Sequence, residues 1–323
     1  MDKTGTINIL CATDNKYAPF CGIMLTSLFE NNKDYRFNVY VFASVDISNS
    51  NEKKYIQLGK LYGNAVCVMR IDDSKVEAFP ISEGTYITKP TYYRLFAADL
   101  LPKDIHKVIY LDCDIIVVGD IMPLWSQSIE GKALAGVRDY SDYFVPLCKR
   151  LDSSSLYEYF NAGVMVCNLD YWRQNQLFER TRDFIKNNTG KLLYMDQDAL
   201  NGVLQGECEM IQAKFNFQTA LFRRDNWDYY STETQRYYFD EVKDMIVIHY
   251  SSTEKPWDIR SYGGPFYSVW HGFRKKSLWK CCVDINPIMK TAKHLVKRHV
   301  FPKMLRNQRR DWVVSTENEE YFR

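Results

Sequence analysis

From residue 108 to residue 118 the chain is apolar except at one point. Val108-Ile109-Tyr110-Leu111 and Ile115-Ile116-Val117-Val118 flank Asp112-Cys113-Asp114. The first run, β-branched and aromatic, reads as a buried strand. Two carboxylates thus interrupt a segment that otherwise favours burial, and a buried carboxylate is costly unless paired, hydrogen-bonded or metal-bound. A hard divalent cation takes oxygen ligands and can carry a diphosphate at the same time. The pattern reads as an Asp-X-Asp site that holds a metal and, through it, a nucleotide. The competing reading is a pair of turn aspartates at a strand end.

The flanking sequence says what kind of sheet this strand belongs to. Residues 7–12, 37–43, 65–71 and 108–111 read as strands, and residues 21–31, 49–61 and 92–101 as helices between them. Such alternation argues an open, mostly parallel α/β sheet. Ligands bind such sheets outside the carboxyl ends of the strands. The loop at Asp14 and the pair at Asp112 both lie at such ends and are expected to face one crevice. Further on, residues 133–137, 163–168 and 245–250 read as strands and 195–204 as a helix. Residues 214–236, polar and aromatic, read as loop-rich, and no internal repeat is visible.

The net charge of +2 hides an asymmetry: residues 1–270 carry 29 Lys/Arg against 35 Asp/Glu, whereas residues 271–323 carry 13 against 5. A basic tail implies an anionic partner. From Pro287 an amphipathic helix is expected, with Ile288, Ala292, Leu295, Val296 and Val300 on one face and Lys290, Lys293 and Lys297 on another. It reads either as peripheral membrane attachment, worth about 1 kcal/mol per basic residue near an anionic surface, or as a helix packed on the body. Nucleic acid is not expected, since no reading motif accompanies the charge. The nine cysteines are odd in number and form no Cys-X-X-Cys, which favours reduced thiols in a cytosol. Met1-Asp2-Lys3 leads straight into a strand-like start without a signal peptide, and no apolar run is long enough to span a bilayer. The expected location is cytoplasmic, peripheral on the inner face of the membrane.

A metal site needs more than two carboxylates. His249 follows Met245-Ile246-Val247-Ile248, and imidazole suits Mn²⁺-class ions better than Mg²⁺. Taken alone, His249 also reads as a structural histidine. In Ser251-Ser252-Thr253-Glu254-Lys255-Pro256-Trp257, Lys255 can neutralise a phosphate and backbone amides can donate to it; the plainer reading is a surface turn. Phe160-Asn161-Ala162-Gly163-Val164 reads as a loop entering a strand. There Gly163 allows close approach of backbone to ligand, and Asn161 offers a donor and an acceptor to sugar hydroxyls. Asp196 reads either as a helix cap or, with Gln197, as part of a reaction centre where positive charge develops on a sugar. Arg94, on an otherwise apolar helix, pairs with a structural carboxylate or with one of the site's aspartates.

In chain order, Ala12-Thr13-Asp14-Asn15-Lys16-Tyr17, Thr91-Tyr92-Tyr93-Arg94-Leu95, the run ending in Asp112-Cys113-Asp114, Phe160-Asn161-Ala162-Gly163-Val164, Asp196-Gln197-Asp198-Ala199-Leu200-Asn201, and His249-Tyr250 with Lys255-Pro256-Trp257 cover roughly residues 7–260. The ordered set resembles glycosyltransferase family 8, in particular the bacterial lipopolysaccharide α-galactosyltransferase and α-glucosyltransferase group. The resemblance implies a GT-A fold, Rossmann-like with a mostly parallel sheet, which is expected over residues 1–270; the charge pattern marks residues 271–323 as a basic helical extension. It also implies retaining transfer of glucose or galactose, in α linkage, from UDP-glucose or UDP-galactose to a saccharide acceptor such as lipopolysaccharide or another surface glycan. Asp112, Asp114 and His249 look like ligands of Mn²⁺, with Mg²⁺ as the alternative ion. Asp14 and Tyr17 resemble uridine-binding positions, Lys255 the diphosphate-binding lysine, and Arg94, Asp139, Asn161 and Asp196 positions on the donor sugar. Gln197 matches the residue on the β-face of the anomeric carbon. Ala12, Lys16, Thr91, Cys113, Ala162 and Ser252 fall at donor-binding positions of the same blocks.

The implied metal and Lys255 would stabilise charge on the departing UDP. Gln197, a neutral amide, is a poor nucleophile, which favours front-face, ion-pair-like substitution over a covalent intermediate on Asp196 or Gln197. Three positions depart from the family pattern: Ser252 for glycine, Lys16 for asparagine, and Glu254, a like charge beside the diphosphate. Two other functions fit parts of the pattern. One is a non-catalytic nucleotide-sugar or glycan-binding protein on the same fold. The other is a haloacid dehalogenase-type phosphatase, which also ends a strand in Asp-X-Asp but does not continue with a run like Ile115-Ile116-Val117. The acceptor-side segments 140–159 and 217–238 carry no motif that names an acceptor.

Overall fold

β1 (Thr6–Thr13) is buried almost throughout, as a strand covered on both faces must be. The computed structural model describes residues 5–81, 88–139, 147–150, 158–228, 230–258 and 264–281. Nine further strands follow: β2 (Arg36–Ser44), β3 (Ala65–Ile71), β4 (Lys107–Leu111), β5 (Ile115–Val117), β6 (Leu134–Arg138), β7 (Phe160–Asn168), β8 (Cys208–Ile211), β9 (Phe217–Gln218) and β10 (Val247–His249). The main sheet has the order β3-β2-β1-β4-β7-β6-β8, and a small second sheet the order β5-β10-β9. β3, β2, β1 and β4 run parallel. β7 is antiparallel to both its neighbours, β4 and β6, and β6 pairs parallel with β8. The expected α/β class and mostly parallel sheet are what the chain forms.

Side-chain alternation along β1 divides the core, because successive residues face opposite sides of a sheet. Ile9 and Cys11 pack with α1 (Ala18–Asn31) and α2 (Asn49–Tyr62) on one face, through residues such as Leu28 and Tyr55. Leu10 packs on the other face with Tyr92, Phe96 and Trp172. α2 shows why its boundaries are legible: Ser48 accepts a hydrogen bond from Asn51 N–H at the start, and Gly63 closes it at φ 69°.

Several segments differ from expectation. Residues 92–101 are not one α-helix: a 3-10 stretch, Lys89–Phe96, precedes a single α-turn, Ala97–Leu100. Three residues per turn aligns Thr91 with Arg94 along one edge. Phe160–Ala162, read as the loop entering the strand at 163–168, is strand as well, because Phe160 and Asn161 pair with Arg138 and Val137 of β6. The strand expected at 245–250 is confined to the three residues that pair with β5 and β9. Residues 214–236 are not a plain loop either: they hold β9, short helical turns and the start of the helix Thr232–Lys243.

The helix Tyr267–Lys276 crosses residue 270 and packs with α1. Beyond it Trp279 is buried. Its indole Nε1 donates to Asn51 Oδ1 at 2.8 Å, and its ring occupies the space a side chain on Gly22 would need, 2.2 Å from that Cβ position. The amphipathic helix expected from Pro287 lies outside the described residues. Among the described residues no helix is long and apolar enough to cross a membrane.

Candidate active site

Strand pairing brings the site together. Parallel pairing of β1 with β4 sets Asp14 and Asp112 at the same edge of the sheet. β7 enters antiparallel beside β4, with Val164 opposite Leu111, and Gly163 O accepts from Asp112 N–H at 2.9 Å. In the small sheet β10 runs antiparallel to β5 with His249 opposite Ile115. That register delivers the imidazole to Asp114, one residue before β5.

Asp112, Asp114 and His249 each present a ligand atom, all within 4.8 Å of one another. His249 Nε2 lies 3.3 Å from Asp114 Oδ1, and Lys255 Nζ lies 2.6 Å from Asp114 Oδ2. Burial opposes ionisation of Asp114, but Lys255 and His249 overcome it and hold the carboxyl well below the usual range. Two carboxylates and an imidazole form a donor set that fits a divalent ion of the Mn²⁺ class. Lys255 is itself 4% exposed and also donates to Tyr250 O at 2.7 Å, so it is a core residue of the site rather than part of a surface turn. Glu254 does not crowd it: Arg223 pairs with Glu254 at 3.2 Å.

Arg94 is the hub on the other side. Its Nη2 donates to Asp112 Oδ1 at 2.9 Å and its Nη1 to Ala162 O at 2.5 Å. The guanidinium stacks 4.3 Å over the Tyr110 ring, and Tyr110 OH donates to Asp112 Oδ1 at 2.8 Å. Arg94 Nε lies 2.9 Å from Asp196 Oδ2 but donates to Thr91 O. Asp196 Oδ2 therefore has electrostatic company and no aligned hydrogen bond. Burial outweighs Arg94 and the Thr91 hydroxyl, and pushes the Asp196 carboxyl up to about 6.

Asp196 does not cap its helix. Tyr194 is the N-cap of Met195–Val203 and makes no side-chain cap bond. Asp198 does that work, accepting from Leu193 N–H, Tyr194 N–H, Tyr159 OH and, in a two-pronged pair, Arg150. Met195 adopts φ 45°, a left-handed conformation for a non-glycine residue. This is strain of the kind held at functional sites, and it sits immediately before Asp196 and Gln197. The Gln197 amide is fixed at both ends. Its Oε1 accepts from Ala162 N–H at 2.9 Å, and its Nε2 donates to Asp139 Oδ2 and Tyr159 OH, each at 3.1 Å.

Ala12, Asp14, Tyr17, Thr91, Arg94, Asp112, Cys113 and Asp114 line one cleft. Asp14 already has partners there: Oδ1 accepts from Tyr17 N–H and Oδ2 from Thr88 Oγ1. The Cys113 thiol, buried and hydrogen-bonded to Ala12 O, is held well above the usual range by the Cys21 thiol and by burial. The Lys16 side chain is exposed and lies outside the cleft lining. Ser252 is buried, with its hydroxyl turned into its own turn toward Glu254 O. Gly163 admits other side chains as well as backbone: a Cβ there would meet His249 Cε1 at 2.4 Å and Asp112 Oδ2 at 2.9 Å. Sequence reasoning missed Thr88, Tyr110, Tyr159 and Asn216. Only Tyr110 left a signal, because the two-residue strand period places it on the same face as Asp112.

Such a sheet, with Asp-X-Asp at the carboxyl end of a central strand and a histidine delivered by a second small sheet, defines a GT-A glycosyltransferase. The model of glycosyl transferase family 8 matches residues 8–260, and the chain belongs to that family. It is 28% identical to general stress protein A of Bacillus subtilis over 80% of this chain and 90% of that one. It is 26% identical to a lipopolysaccharide 1,2-glucosyltransferase of Escherichia coli K12 (78% and 72%) and 24% identical to a lipopolysaccharide 1,3-galactosyltransferase of Salmonella typhimurium (91% and 85%). The fold matches that of the galactosyltransferase LgtC, solved with donor and acceptor sugar analogs, at a TM-score of 0.72 and 23% identity, over 84% of this chain and 96% of that one. Family membership makes the protein an enzyme that transfers a sugar from a nucleotide-sugar donor to an acceptor, and sets aside the phosphatase and non-catalytic readings.

Proposed function

We propose that the protein transfers glucose or galactose from UDP-glucose or UDP-galactose to a saccharide of lipopolysaccharide or another surface glycan, with retention, forming an α linkage. The observation that carries this is the convergence of Asp112, Asp114 and His249 within 4.8 Å, with Lys255 on the same carboxylate. The hexose and acceptor class are supported by the relatives named as lipopolysaccharide glucosyl- and galactosyltransferases.

Asp112, Asp114 and His249 would hold Mn²⁺, or Mg²⁺ in its place. When bound, the ion supplies Lewis-acid stabilisation of charge on the departing diphosphate. Lys255 adds a fixed positive charge beside it, in a buried setting where such a charge is effective. Asp14 and Tyr17 take the uridine at the cleft, with Tyr17 stacking on the base. Ala12, Thr91, Cys113, Ala162 and Ser252 contact the donor around it, and Lys16, being exposed, does so through its backbone. Arg94, Asp139, Asn161 and Asp196 hold the sugar. Gln197, a neutral amide tied at both ends, is rigid and weakly nucleophilic. That supports front-face substitution, in which the departing phosphate oxygen takes the acceptor hydroxyl's proton.

The catalytic unit, drawn at residues 1–270 from sequence, is proposed to run through Trp279. The basic remainder of 271–323 is proposed to dock on an anionic membrane surface from the cytoplasmic side. The deciding experiment is UDP release from a panel of UDP-sugars, with Mn²⁺ and with chelator, for the wild type and Asp114→Asn. Hydrolysis of one UDP-hexose that needs Mn²⁺ and is lost in the variant is the expected result. No turnover and no metal-dependent UDP binding would sink the assignment.

A further inference from the structure

His249 has two ring nitrogens, and only one arrangement of the hydrogen bonds around it is self-consistent. The backbone N–H of Gly163 can only donate, and it meets Asn161 Oδ1 at 3.0 Å. The other end of that amide, Nδ2, donates to Asp139 Oδ2 at 2.7 Å. With Asn161 Oδ1 established as an acceptor, Asn216, 2.8 Å away, must turn its Nδ2 toward it. Asn216 Oδ1 then faces His249 Nδ1 at 2.9 Å, and an amide oxygen only accepts. Nδ1 therefore carries a proton, and Nε2, which points at Asp114 Oδ1, is the nitrogen left for a metal ion. Asn216 is 1% exposed and His249 4%, so unmade bonds here are penalised and the pattern is enforced.

Pairing places Asn216. It immediately precedes β9, whose Phe217 and Gln218 stand beside Ile248 and His249 of β10. The amide chain also runs the other way. Asp139 Oδ2, which anchors Asn161, accepts from Gln197 Nε2 as well.

We propose that Asn216 is a positioning residue: it holds His249 as the Nδ1–H tautomer, keeps the Nε2 lone pair free for a metal ion, and ties that tautomer through Asn161 and Asp139 to Gln197. This rests on Asp112, Asp114 and His249 being the metal site.

The test uses the full-length protein as wild type, Asn216→Leu and Asn216→Asp. Mn²⁺ binding is followed by the EPR signal of the free ion, and the ring tautomer of His249 by ¹⁵N NMR at about pH 8. Asn216→Leu keeps the volume and removes the acceptor, and is expected to weaken Mn²⁺ binding by about 10–100-fold and to leave a mixture of tautomers. Asn216→Asp keeps an acceptor at Nδ1 while setting its second oxygen against Asn161 Oδ1, and is expected to bring the ring back to the Nδ1–H tautomer. A purely structural role would not give that rescue. A folded Asn216→Leu protein that binds Mn²⁺ within about twofold of wild type would overturn the proposal. So would an Nε2–H tautomer in the wild type, which needs no variant to fold. A wild type that binds no Mn²⁺ overturns the metal-site assignment instead, and the tautomer measurement still judges the hydrogen-bond chain.

Discussion

Gly163→Ala probes how tightly the metal-ligating groups are packed. The new Cβ would lie 2.4 Å from His249 Cε1 and 2.9 Å from both Asn161 Oδ1 and Asp112 Oδ2. Ordinary contact begins near 3.4 Å, so the imidazole must retreat by about 1 Å to reach van der Waals distance. Gly163 lies in the bulge of β7 between the paired residues Asn161 and Met165, and its backbone is tied there at both ends, by its O to Asp112 N–H and by its N–H to Asn161 Oδ1. Overpacking of this kind costs about 1–3 kcal/mol, offset by the roughly 0.5–1 kcal/mol of backbone entropy that alanine saves. A net loss of about 1–2 kcal/mol lowers Tm by about 2–6 °C. Turnover suffers more, since a displacement of about 1 Å in a reacting constellation costs on the order of 100-fold. UDP release titrated with Mn²⁺, alongside thermal unfolding, reads both effects. Gly272→Ala, with nothing within 4 Å of its Cβ, is the internal control and is expected to be neutral or slightly stabilising. An unchanged Mn²⁺ dependence with Tm within about 1 °C of wild type would refute the claim that Gly163 sets the spacing between β7 and His249.

Trp279→Ala empties the space against Gly22 and is expected to cost about 3–5 kcal/mol, read by urea unfolding; a loss near zero would show that the body does not depend on residues past 270. Arg150→Met strips the paired cation from Asp198, which is fully buried, and is expected to cost about 3–5 kcal/mol; if urea melts show no loss, Asp198 is not the anchor beneath Gln197. The Asp196 carboxyl, raised to about 6 by burial, favours the folded state most when protonated. Its contribution is fully present below the unfolded value of about 4 and is lost as pH rises through about 6. The stability of wild type minus that of Asp196→Asn should therefore fall by on the order of 2 kcal/mol between those limits, and a flat difference in unfolding free energy across that window would contradict it.

Much of the fold was legible because its elements are locally encoded. β1, β2, β3 and β4 announce themselves as apolar runs, and α2 carries its own cap at Ser48 and its own stop at Gly63. Asp112 and Asp114 were legible for the opposite reason, as carboxylates where the pattern demands burial. Phe160–Ala162 was misread as loop because Asn161 and Gly163 break the strand pattern. Those two residues are there to make room for His249 and to orient an amide, and the neighbouring strands impose the conformation. The motif position of Lys16 does not say which way its side chain faces, and the fold turns it outward to solvent. Asn216, Tyr159 and Arg150 left no signal, since a polar residue in an aromatic segment reads as loop until its partner is known.

Taken alone, the sequence settles the α/β class, the family, and which carboxylates must find a positive partner, because periodicity and the cost of buried charge act over a few residues at a time. It does not say which partner each polar group finds. Lys255 reaches Asp114 across 141 residues, Arg94 reaches Ala162 across 68, and Asn216 reaches Asn161 across 55. Those choices follow from strand register and close packing, and they turn a set of separately plausible residues into one ordered site. Burial enforces the outcome: inside the core an unmade hydrogen bond is costly, so the amide, imidazole and carboxylate orientations are solved together by the assembled sheets.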